Sequence, residues 1–419
     1  MAMRPTEEIA DLATEVRYDR LPEDVRAATK RRVLDAIGVG LRSRAAGRNG
    51  AVRRTIEGRA EGGERGDSRL WGATTASSSP AALHNAVLAG SGNGAVFLSP
   101  TLSPAYGPLA AVLTVSEAEG TTGTEALSAL AVALEVHGEL AWNAPLDGLD
   151  PATHASVATA AGVGAVTEFD SAAVRRAVGL TASRVALAVD GDGFSPLASG
   201  LGAREAIEAC RLVSGGVDAP DAISAPNGWR DLVGPFDLDP DPGCGRVHDA
   251  AVSPYDAQPH AQSAVEAAIG IANETAIDPA EIDGVTVETV ERAVQAIDAE
   301  RIAAALVDRS LFVHRAARAD LRPIVEATDV SAVDGSIDNS GRGTAPARVT
   351  VETRTGDVHE RTAEGFEGDP TTPVSWGTVE EKFHASVEGI YGRERREEII
   401  ETVRSFEAET PVELARLLG

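Results

Sequence analysis

At 419 residues the chain is too long for one ordinary domain, and two are the expectation. Hydrophobic residues make up 43%, which excludes a disordered chain, and aromatic residues only 4%, so a core of small aliphatics in closely packed helices is expected. The net charge of −26, from 64 acidic and 38 basic side chains spread along the sequence, excludes nucleic acid and anionic membrane as partners.

In chain order, the first helix signal is Leu21-Pro22-Glu23-Asp24, with proline at the helix entry and acids at its positive end. Val25, Ala28, Val33, Leu34, Ile37 and Leu41 follow at helical spacing, and Arg42 and Arg44 sit at the negative end. Residues 79–89 and 108–117 read as buried helices, with a Gly-, Ser- and Pro-rich loop over 90–107 between them. Further helices are expected at 124–142, 154–166, 171–180 and 200–213. The texture changes near Ser253. A helix at 259–274 precedes an alternating strand at 282–290, and 347–354 with 358–363 flank Thr355-Gly356-Asp357 as a hairpin. Residues 339–344 read as a mobile loop, and 376–389, 393–408 and 411–418 as closing helices that pack back on the first domain.

Lys30 and Lys382 are the only lysines, so nearly all the positive charge is arginine. Two explanations fit so acidic a chain: an acidic interaction surface or adaptation to high salt. The second is preferred, because at molar salt the Debye length is about 3 Å and self-repulsion is screened. Cys210 and Cys244 are too few for a disulfide framework or a cysteine metal site, and they read as buried small hydrophobes. Residues 1–10 carry acids and no apolar stretch of signal-peptide length. No run reaches about 18 uninterrupted apolar residues. A cytoplasmic location is the expectation.

Several segments, in order, resemble the MmgE/PrpD family. They are Leu21-Pro22 to Gly38, Ala81 to Ala89, Glu135-Val136-His137-Gly138, Ala177-Val178-Gly179-Leu180-Thr181-Ala182-Ser183, Asp278-Pro279 to Thr289, and Pro373-Val374-Ser375-Trp376 to Lys382-Phe383. The resemblance implies a mainly α fold with an α+β part: an all-helical domain from 1–250 and 369–419, and a smaller inserted α/β lid over 251–368. It implies a dimer and cofactor-free lyase or isomerase chemistry on small polycarboxylates, as in 2-methylcitrate dehydratase, cis-aconitate decarboxylase and iminodisuccinate epimerase.

Such reactions need cations for the substrate carboxylates and a general acid and base at the reacting carbon. Most of the family's side chains for this are replaced. The loop that usually reads H-A-L-D-F-D-D-T, then H-P, has Gly90, Asn93, Phe97 and Ser103 at its functional positions, with Pro100 and Pro104 holding the frame. The two family lysines fall on Ser195 and Ser253, the histidine of the hinge motif on Gln262, and the tyrosine of S-L-P-Y near Glu300. His154 remains in place, as does Tyr255 with the hinge proline, Pro254. The resemblance therefore leaves His154 as candidate acid or base. Asn93, Ser103, Ser195, Ser253, Tyr255 and His260 are candidate substrate contacts.

Each candidate also has a plainer reading. His154 can cap backbone groups or fill core. His260 reads as a surface helix histidine, and His84 and His137 as core or interface residues. Asp190 and Asp192 fit a solvated turn better than a cation site. The Gly90–Gly94 run is a weak signal for an anion cradle. No histidine pair has metal-site spacing, and no cofactor is expected. Two functions follow. One is a diverged enzyme using His154 on a small carboxylate-like substrate, with dehydration of 2-methylcitrate lost. The other is a non-catalytic subunit that forms a homodimer or a heterodimer with an active paralogue.

Overall fold

The computed structural model describes residues 4–63, 66–98, 102–188, 194–275, 277–313, 318–333 and 345–419. The fold is mainly α with an α+β part. It divides into two compact units, one of Met1–Ala250 with Val387–Gly419 and one of Ala251–Ser386. Residues 369–386, which the sequence reading gave to the helical part, lie in the second unit.

In the first unit the helix Glu23–Ala45 begins just after Pro22, with Glu23 and Asp24 in its first turn and Arg42 and Arg44 in its last. Its Gly40 makes room for an indole, since a Cβ there would stand 2.7 Å from the Trp71 ring. The helix Gly123–Asn143 is buried on nearly every side and opens with a capping box between Thr122 and Glu125. Ala152–Val166 is buried almost all round as well. Alanine and glycine permit this close approach. A Cβ on Gly162 would lie 2.7 Å from Val112 and 2.8 Å from Ala133, and one on Gly202 would meet the Ser156 hydroxyl. The helices Ser78–Gly90, Tyr106–Glu119, Ser171–Ala182 and Phe194–Ser214 complete this bundle.

The last two α-helices, Arg393–Arg404 and Pro411–Leu417, return to it. The Lys30 ammonium donates to the Arg404 carbonyl at 2.6 Å and to Glu407 at 2.8 Å. The Gly123 N–H donates to the Glu409 carbonyl at 3.0 Å.

The structure corrects the sequence reading between residues 90 and 107. The expected loop contains a buried antiparallel hairpin, Ala95–Leu98 with Leu102–Pro104, in which Phe97 stands opposite Ser103. Ala-Val-Phe-Leu is buried on both faces, so it carries no alternation for a period-2 reading to find. Helices at Pro5–Glu15 and Gly50–Glu61 add to those expected from the sequence.

The second unit is built on a four-stranded sheet. Ile282–Thr289 pairs in parallel with Thr328–Ala332 and antiparallel with Ala347–Thr353, which forms the expected hairpin with Val358–Ala363. Gly356, at φ +89°, makes the turn. Gln262–Glu274 and Ala299–Asp308 bury their apolar faces with Val285, Val287, Val349 and Val351 of the sheet. The expected mobile loop at 339–344 lies outside the described residues.

Candidate functional site

The hairpin and two helices bring three of the singled-out side chains to one place in the first unit. His137, in the middle of Gly123–Asn143, is fully buried, and its Nε2 lies 2.7 Å from the Ser103 hydroxyl. Phe97, on the facing strand, meets the same imidazole edge to face, with ring centroids 5.0 Å apart. Gly138 allows this packing. A Cβ there would stand 3.0 Å from the Phe97 ring and 2.6 Å from the Arg246 stem.

His154, in the first turn of Ala152–Val166, is 1% exposed and packs at 5.4 Å against the ring of Trp229, itself 1% exposed. Phe236 meets that indole edge to face, with ring centroids 5.4 Å apart. Burial lowers the pKa of both imidazoles to about 3. For His137 the neighbouring His154 adds to the effect, and for His154 the Ala144 backbone works against it. Even so, neither ring nitrogen of His154 completes a hydrogen bond of normal geometry among the described residues, and His137 Nδ1 and Trp229 Nε1 are likewise unpaired. Two imidazoles, a phenyl ring and an indole are thus buried in largely apolar, aromatic surroundings.

The acids around it serve the backbone. Glu135 accepts the N–H groups of Asp241 and Arg246, each at 2.8 Å, and Glu139 accepts that of Asp239 at 2.9 Å. Arg246 is bound by Glu139 at 2.6 Å and by Asp249 at 2.9 Å. Burial raises the Glu135 carboxyl to about 7. These contacts clamp residues 239–249 along the helix and leave Arg246 already paired.

Asn93 is half-buried and precedes Gly94, whose site admits no side chain. A Cβ at Gly94 would fall 1.2 Å from the Tyr106 hydroxyl and 2.6 Å from the Asp35 carboxylate. Tyr106 donates to Asp35 at 3.4 Å, and burial first, then Asp35, pushes its pKa well up. Arg32, one turn before Asp35 on the same helix, is buried and donates to the carbonyls of Ala28 and Ala250. Burial lowers its pKa to about 9.

Ser253, Tyr255 and His260 lie in the second unit. Ser253 is fully buried with an unpaired hydroxyl, and its carbonyl accepts the Lys382 ammonium at 2.6 Å. Tyr255 donates its hydroxyl to Glu266 at 2.7 Å, and burial and that carboxylate push its pKa up. Gln262 ties the turn together, its amide donating to the Ala257 carbonyl at 2.7 Å and accepting from the Tyr255 N–H at 3.2 Å. His260 is half-buried, its pKa lowered by burial and by Arg292. Glu300 opens the Ala299–Asp308 helix, its N–H donated to Asp298. The side chain of Ser195 and the Asp190 and Asp192 pair lie outside the described residues.

The structure therefore links Ser103, His137 and His154. Sequence reasoning set His137 aside as core, although it had singled out the Glu135–Gly138 segment. Among the described residues no group of three His, Cys, Asp or Glu side chains is placed to hold a metal ion, and no helix is long and apolar enough to cross a membrane.

No curated protein matches the chain. Two family models do: the MmgE/PrpD N-terminal domain over residues 7–235 and the MmgE/PrpD C-terminal domain over residues 255–408. They cover Ser103, His137 and His154 in the bundle and Tyr255 in the sheet unit. The chain therefore belongs to the MmgE/PrpD family.

Proposed function

We propose that this chain does not dehydrate 2-methylcitrate and serves as a non-catalytic member of its family, assembling with itself or with an active paralogue. The observation that carries the reading is His154. A general acid or base must reach the reacting carbon within about 2.6–3.2 Å and titrate near the working pH. His154 is 1% exposed, packed on Trp229, and lowered to about 3. At neutral pH such an imidazole is a feeble base and cannot act as an acid. The binding side of the reaction is weakened as well. At the motif positions that hold cationic or proton-transferring groups in the family pattern, this chain has Gly90, Asn93, Ser103, Ser195, Ser253 and Gln262. Each missing charge-assisted contact to a carboxylate removes about 1.5–3 kcal/mol. Phe97 and Val96, both buried, add apolar bulk where the family loop is polar.

A second reading rests on the unpaired ring nitrogens of His137, His154 and Trp229. Buried polar atoms without partners are uncommon in native folds and mark places where a polar molecule can sit. On this reading the chain is a diverged lyase or isomerase acting on a small carboxylate-like substrate, with His154 as acid or base. Asn93, Ser103, Ser195, Ser253, Tyr255 and His260 then supply substrate contacts. In either case the protein works as a dimer in a salt-rich cytoplasm, without cofactor, metal or nucleic acid.

One experiment separates the two. The protein in molar KCl is incubated in D2O with 2-methylcitrate, cis-aconitate and iminodisuccinate analogues and followed by proton NMR. The first reading expects neither turnover nor deuterium uptake, and a stable complex with a co-expressed paralogue by light scattering. Turnover that disappears in His154→Ala overturns it and establishes the second.

A further inference from the structure

We propose that the helical unit binds an aliphatic carboxylate of medium chain length in a groove away from the site described above. The alkyl chain lies along the apolar lining, and the carboxylate is held by Arg59 and Arg204. The groove runs between the Gly50–Glu61 and Ser78–Gly90 helices and the Phe194–Ser214 helix. It measures roughly 570 Å³, within the size range of small-molecule sites. Ile56, Ala60, Leu83 and Leu197 give it an apolar lining, and the first three are buried members of one local cluster against which Leu197 packs.

Charge selects the occupant. Among the described residues no acidic side chain lines this groove, in a chain that carries 64 of them, whereas two arginines do. Neighbouring arginines are neutralised. Arg44 and Arg53 share Glu57, Arg211 pairs with Glu208 and donates to Ser78, and Arg184 pairs with Glu205. Arg59 and Arg204 have no ion pair or hydrogen bond among the described residues.

A guanidinium presents a planar fork that matches a carboxylate, and two of them beside an apolar wall match a head and a tail together. A small polar anion leaves the apolar wall wet, and a neutral chain leaves both cations unpaired. At molar salt only contact pairs survive screening, so apolar burial and direct guanidinium contact must act jointly.

The test is calorimetric titration of sodium decanoate, below its aggregation concentration, into the full chain in KCl. Acetate and decanol are parallel titrants. The expected result is saturable one-to-one binding of decanoate, with acetate and decanol at least tenfold weaker. The double variant Arg59→Gln/Arg204→Gln should weaken decanoate at least tenfold while its melting curve stays in place. Ala51→Trp, which keeps both arginines and narrows the exposed rim, should weaken it too. It decides the matter should the double variant melt early. Absence of saturable binding overturns the proposal, as do equal binding of decanol and affinity unchanged in both variants.

Discussion

The Ser103 hydroxyl and the His137 imidazole are joined by a 2.7 Å hydrogen bond, with both residues at most 1% exposed. Ser103, a candidate substrate contact on the sequence reading, is turned onto an imidazole in this fold. Its hydroxyl satisfies one nitrogen of a core residue.

Removing that hydroxyl leaves His137 Nε2 buried and unpaired. Ser103→Ala is therefore expected to destabilise the fold by about 1–3 kcal/mol, the usual cost of an orphaned buried polar atom. Urea unfolding of the variant beside the parent measures it. A midpoint unchanged at constant slope would show that the bond contributes nothing.

The pH dependence has two opposed parts. His137 and His154 are held neutral to about 3 in the fold but take up protons near 6.5 once unfolded. Between these values the unfolded chain binds more protons, so stability falls as pH drops below 6.5. Glu117 and Glu135 are raised by burial to about 7 from 4.5, so in that window the folded chain binds more protons and stability rises as pH falls. His154→Phe removes one of the destabilising groups. Its stability relative to the parent should improve towards acid by up to about 1.4 kcal/mol per pH unit between pH 6 and 4.5. Unfolding curves at three pH values test this, and parallel profiles would refute the assignment of a buried neutral imidazole.

His84 offers a contrast, because both of its ring nitrogens face oxygens. Nδ1 lies 2.9 Å from Asn85 Oδ1 and Nε2 lies 3.2 Å from Glu57 Oε1. Burial alone raises the Glu57 carboxyl, but the His84 hydrogen bond and the charges of Arg44, His84 and Arg53 outweigh it and hold the pKa low. Such a carboxylate stabilises the fold above its unfolded pKa of 4.5, and the contribution is lost as pH falls through its folded value. His84→Leu should cost about 1–3 kcal/mol at pH 7. It should also lessen the loss between pH 5 and 3. A thermal melt series in acetate and phosphate buffers reads both effects.

The net charge of −26 predicts a salt requirement. The melting temperature should rise from low salt to molar KCl as repulsion between carboxylates is screened. Equal melting temperatures at the two salt levels would remove salt adaptation as the reason for the acidic composition.

The long helices were legible before any coordinates. Pro22 with Glu23 and Asp24, Thr122 with Glu125, and the 3.6-residue recurrence of Val, Leu and Ile are local signals, written within a few residues of the structure they cause. The β-hairpin around Gly356 is local in the same sense. The buried hairpin at 95–104 was not legible, because a fully buried strand of four apolar residues has no period and the surrounding Gly, Ser and Pro argued for a loop. The parallel strand Thr328–Ala332 was missed for a related reason. It is short and mostly polar, and its pairing with Ile282–Thr289 depends on residues some forty positions away.

The sequence by itself determined the family, the helical character of most of the chain and its acidic composition. Those follow from residue identity and spacing, which the chain carries with it. Tertiary structure alone decided that Ser103 meets His137, that Trp229 packs on His154, that Glu135 and Glu139 clamp backbone, and that Arg59 and Arg204 share an apolar groove. Burial and hydrogen-bond partners come from segments far apart in sequence, and an imidazole's protonation is fixed by what surrounds it.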